Sequence, residues 1–200
     1  MLCENRFPLP GSPSTCTLDT AIVPLPSIFL IIALGANHFL SRNNVAGART
    51  PVAPPVKLHI LYLVMVGCQI AMTILELVRL ALEQFGVGLL PFNTIGLICA
   101  FVVLLRERKS GRTRRTLAIL AVYWFFLTIF EAIKVARLHT LEELNPTTTK
   151  TSQYPSSDWF LDNAVMLALY FIFFCGETVN LVLMRRQRNM EGGYKMRSNV

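Results

Sequence analysis

Two groups of ionisable residues, and one lone acid, fall inside or at the ends of long apolar stretches of this 200-residue chain. Glu76, Arg79 and Glu83 form one group, Glu131, Lys134 and Arg137 the other, and Glu177 stands by itself. Spacings of three and four put each group along one face of a helix, where opposite charges can pair. A charge at the centre of a bilayer costs about 2.5–3.5 kcal/mol on insertion scales, so such residues turn inward, pair or snorkel. Two chemistries are open to them. One is a polar cleft for a substrate or a proton relay. The other is a set of intramembrane ion pairs, Glu76 and Arg79 with Glu131 and Lys134, that lock two helices together. The structural alternative is the expectation, because Glu177 is the only other acid read as clearly embedded.

Other chemistries lack a sequence signature. No G-x-x-x-x-G-K-[ST] loop occurs to cradle phosphates, and Gly111 lacks the flanking pattern. No G-x-S-x-G elbow occurs, and no Ser or Cys stands beside a plausible His partner. His38, His59 and His139 sit near helix ends with no metal-ligand spacing among them. Bis-histidine haem ligation needs two imidazoles at matching depth, and only His38 and His59 could share one. Neither catalysis nor a cofactor is therefore expected. Cys68, Cys99 and Cys175 lie in apolar runs as small hydrophobes. Cys3 and Cys16 flank the polar N-terminal segment, where they either close a disulfide on an oxidising side or stay as free thiols.

The elements that must position these residues are membrane helices. The chain is 53% hydrophobic and only 16% charged, with mean hydropathy +0.49. Apolar runs at 22–40, 58–82, 89–105, 116–138 and 159–184 read as five transmembrane helices of an all-α, polytopic bundle. An extracytosolic segment, 1–21, precedes the bundle (22–184) and a basic tail, 185–200, follows it. The first twenty residues contain Glu4 and Asp19 but neither the basic-then-apolar order nor the cleavage site of a signal peptide, so the first helix is expected to remain as an anchor. Gly67 with Ala71, Gly96 with Ala100, Ala132 with Ala136 and Ala164 with Ala168 are small residues four apart, the spacing that lets helices approach closely.

Charge orients the bundle. Arg106, Arg108, Lys109, Arg112, Arg114 and Arg115 crowd a ten-residue loop that cannot enter hydrocarbon. Segment 41–57 adds three basic residues and the tail five, so fourteen of the 19 Lys and Arg share one side, while Arg6 and Lys150 lie opposite. The positive-inside rule then puts the N-terminus outside and the C-terminus in the cytosol. The net charge of +7 is explained by orientation, and nucleic acid is not an expected partner, because the basic residues form short clusters rather than one solvated face. The basic loop reads as an orientation signal with capacity to face anionic lipid or a partner.

The stretch from Asn93-Thr94-Ile95-Gly96-Leu97 through the basic loop to Ala132-Ile133-Lys134-Val135-Ala136-Arg137-Leu138 resembles the third and fourth helices of TMD0. TMD0 is the extra N-terminal membrane domain of C-subfamily ABC transporters, the multidrug-resistance-associated and vacuolar glutathione-conjugate types. Cys16-Thr17-Leu18-Asp19 leading to Val23-Pro24-Leu25-Pro26-Ser27-Ile28-Phe29 is similar to the entry of that domain's first helix. The resemblance covers roughly residues 16–186 and implies five helices, N-terminus out. It favours pairing of Cys3 with Cys16. The family's transport core and both nucleotide-binding domains are not in these 200 residues, so the expectation is a stand-alone or truncated TMD0-like protein. Such a chain is non-catalytic and needs no cofactor. It sits in the bilayer of the plasma or vacuolar membrane and contacts another membrane protein, a transporter core or a homologous chain, in trafficking or regulation. The rival readings are a small multi-pass transporter that uses the intramembrane charges, and a membrane haem or redox protein.

Overall fold

A computed structural model of the chain describes residues 24–43, 56–82, 90–144 and 156–197. The described residues form five helices: α1 Leu25–Asn43, α2 Val56–Leu82, α3 Leu90–Ser110, α4 Arg114–Leu144 and α5 Ser156–Arg197. Three contain stretches long and apolar enough to cross a membrane, Val56–Arg79, Arg114–Ala136 and Phe160–Arg186, and Leu25–Leu40 is a shorter apolar helix. Helix α3 is not among these. Asn93 and Thr94 in its first turns and the basic run at its end shorten the uninterrupted apolar stretch of the expected third span.

Helix boundaries follow local chemistry. Pro91 occupies the first turn of α3, where its missing N–H costs nothing. Gly111 ends that helix at φ 75°, and its N–H reaches the Glu107 carbonyl at 2.9 Å, the left-handed stop that glycine adopts without a Cβ clash. Two residues later Thr113 caps α4. Its hydroxyl accepts from the Thr116 N–H at 3.3 Å, and its carbonyl takes the first helical bond, from Leu117, at 3.0 Å. The α3–α4 connection is therefore a tight turn with one side chain, Arg112, at its apex.

The closest-packed pairs close a ring. Helix α1 packs on α3 and α4, α2 packs on α3 and α5, and α4 lies along α5 over the longest interface. Trp124 fills the centre of the ring with no exposed surface. It stacks on Tyr170 at 6.1 Å between ring centroids and tilts against Phe173 at 4.9 Å and Tyr123 at 5.0 Å. Outward positions such as Ile32, Phe39, Val64, Ile98, Phe125 and Phe171 are exposed apolar side chains, as a lipid-facing surface requires. Lipid tails compete with apolar contacts, so fit and polar bonds must supply the specificity between helices.

Close fit is found at one of the four small-residue pairs. Gly96 and Ala100 are buried, whereas Ala71, Ala132, Ala136 and Ala168 face outward and do not bring helices of this bundle together. A Cβ on Gly96 would collide with the Ser27 hydroxyl, with the Ser27 Cβ at 2.8 Å and with the Tyr123 hydroxyl at 2.9 Å, where α1, α3 and α4 meet. Gly67 has open space around it. Gly96→Ala should therefore lower stability by about 1–3 kcal/mol through overpacking. Gly67→Ala should be neutral or gain up to about 1 kcal/mol from helix propensity. Thermal unfolding of both variants in one detergent checks the contrast.

Candidate functional site: two buried ion clusters

The first cluster is built on α2, α4 and α5. Thr73 and Glu76 lie four and seven residues beyond Gln69 along one inward face of α2, and Gln69 and Thr73 have no exposed surface. Lys134 reaches from α4 across the ring to the Glu76 carboxylate and lies 3.5 Å from Glu131 on its own helix. Tyr170 from α5 sits beside Gln69 and Thr73, close to both acids. Arg79, one turn beyond Glu76, pairs with Asp162 of α5. A cavity of about 20 Å³, room for one water, opens beside Glu76, Arg79, Asp162 and Asn163.

The second cluster surrounds Arg112. Its Nε donates to Glu107 of α3 at 2.7 Å, and its Nη2 donates to Glu177 of α5 at 2.6 Å. Only 5% of Arg112 and 1% of Glu177 is exposed. Tyr62 of α2 places its ring 5.7 Å from the guanidinium carbon and its hydroxyl near Glu177. His59, one turn earlier on α2, donates its Nε2–H to the Leu104 carbonyl of α3 at 3.1 Å, which ties those two helices at the same end. A single loop residue thus joins α3 to α5, and Tyr62 brings α2 into the same contact.

Burial and pairing shift two groups in this loop. Burial lifts the Glu107 carboxyl from 4.5 to about 6, against the opposing pull of Arg112. For Arg112 burial disfavours the charge, and Glu177 and Glu107 more than offset it, so the guanidinium is held above its ordinary value. Because the folded pKa of Glu107 lies above the unfolded one, its contribution to stability is complete below 4.5 and lost as pH rises through about 6. That shift corresponds to about 2 kcal/mol. The stability of wild type minus that of Glu107→Gln should fall by about this amount across the window and then stay level. Chemical unfolding at a series of pH values measures it.

Several residues expected to act together do so in a different arrangement. Glu76, Glu131 and Lys134 converge, and Arg79 also pairs with Asp162, a residue that sequence spacing does not single out. Arg112 leaves the basic loop for the interior, while Arg106, Arg108, Lys109, Arg114 and Arg115 stay exposed. His38 is exposed on α1, whereas His59 is buried with its Nε2–H on the Leu104 carbonyl, so the two imidazoles lie in different surroundings. Among the described residues no group of three or more His, Cys, Asp or Glu is placed to hold a metal ion. Cys3, Cys16 and Glu83 lie outside the described residues, and the side chain of Arg137 is likewise not described.

Apolar helices with an exposed apolar surface and charges folded inward define an integral membrane domain, with ion clusters that hold helices together. Its family follows from comparison. The ABC transporter TMD0 domain model matches residues 7–154, and the chain belongs to that family, a non-catalytic membrane domain of ABC transporters. The match covers α1 to α4, and α5 lies beyond it. Neither the curated proteins nor the solved structures give a match.

Proposed function

We propose that this chain is a five-crossing TMD0 module, N-terminus outside and C-terminus in the cytosol, that works by docking its outer apolar face on the membrane helices of an ABC transporter core. Its output is trafficking, retention or regulation of that transporter in the plasma or vacuolar membrane. The observation that carries this reading is the family match together with the direction of the side chains. Interior charges of this bundle are spent on one another, and what the bundle offers outward is apolar helix surface. The asymmetry of basic residues, fourteen of 19 on one side, supports the orientation.

Photo-crosslinking residues placed at Phe39, Val64 and Phe171, on three different outward faces, test the docking. Crosslinks to a transporter core from one face and not the others are expected. A chain that crosslinks to no core and itself catalyses flux in proteoliposomes would overturn the reading. A Lys109→Cys variant labelled only from the cytosolic side tests the orientation.

A further inference from the structure

The end of the bundle that carries Arg112 shows an unusual separation of charge. Within 106–115 the one acid is Glu107, and it faces inward on Arg112. The second acid at this end, Glu177, is also turned onto Arg112 and buried. What remains at the surface among the described residues is basic. Arg108 and Lys109 lie in the last turn of α3, Arg114 and Arg115 open α4, and Arg185 and Arg186 stand just over two turns beyond Glu177 on α5, all of them exposed. Helix α4 has no acid in its first turn, and since the negative dipole end of α3 lies beside its positive one, the field here comes from the side chains. The apolar stretches begin at Arg114 and end at Arg186, which puts these side chains at headgroup depth.

We propose that this basic end is a binding surface for the phosphate-bearing headgroups of anionic phospholipids. It rests on the reading above that these residues lie at the cytosolic face, the leaflet that holds anionic lipid. Burial of Arg112 with both acids is what makes the surface selective. The loop keeps its outward guanidinium and ammonium groups without a neutralising carboxylate among the described side chains, and the tight Gly111–Thr113 turn holds two basic helix ends side by side. A lipid is favoured over a soluble polyanion because the patch borders apolar helix surface that would take the acyl chains.

The test uses the purified full chain in nanodiscs of phosphatidylcholine containing a minority of phosphatidylserine, with bound lipid counted by mass spectrometry. Wild type should retain phosphatidylserine above its bulk share, less so as salt is raised. The variant R108Q/K109Q/R114Q/R115Q should lose at least about fivefold of that enrichment with an unchanged melting temperature. No enrichment in wild type, or full enrichment in the variant, would overturn the proposal. So would displacement by inorganic phosphate at matched concentration, which would mark a soluble-anion site. Both leaflets of a nanodisc have the same composition, so a wrong orientation leaves this result unaltered and shows only in the Lys109→Cys labelling.

Discussion

Replacing Arg112 by methionine should destabilise the protein by about 3–5 kcal/mol, the largest loss expected from any single loop residue. The reason is what stays behind. Glu107 and Glu177 would face each other at the base of the bundle without the guanidinium that now bonds both, and neither reaches water. Lysine should rescue little, because one ammonium cannot present the forked donors that serve a carboxylate on each side. The triple change Arg112→Met, Glu107→Gln, Glu177→Gln should recover most of the loss, since replacing a whole buried ion cluster by neutral groups is often neutral or better. Melting temperature and monodispersity in detergent report all three outcomes.

The second large effect is at the other cluster. Lys134→Met should also cost about 3–5 kcal/mol, because it leaves Glu76 and Glu131 confronting each other across the ring. Arg79→Met should cost less, since Asp162 is partly exposed and solvent can take up the freed charge. A ranking of Lys134 above Arg79 in thermal unfolding is the signature of a cluster inside the bundle and a pair at its rim.

Much of this fold could be read from the chain. Apolar runs located the five helices and Pro91 marked the start of α3, but that helix runs past the expected 105 to Ser110, where Gly111 stops it. Ends that depended on missing breakers were less legible. Helix α4 continues to Leu144, past the expected 138, because nothing interrupts it before Asn145-Pro146, where proline disfavours a helical preceding residue. The partners were harder still. Spacing predicts which charges share a helix face, yet it cannot say which other helix that face meets, so Asp162 was not foreseen as the partner of Arg79. Arg112 was hidden by its company, five other basic residues in a loop that looks uniformly solvated. The available clue was Glu177, an embedded acid with no partner on its own helix, together with Glu107 as the one acid in the basic run.

That geometry bears on the rival idea that the intramembrane charges serve transport. A transport site must exchange partners during its cycle, whereas a lock needs only complementary charge in a fixed place. The charge swap Glu76→Lys with Lys134→Glu separates these directly, because it keeps two carboxylates around one ammonium while it reverses the pair between α2 and α4. Each single change should lower the melting temperature sharply, and the double swap should restore most of it. A double swap no more stable than the singles would contradict the account.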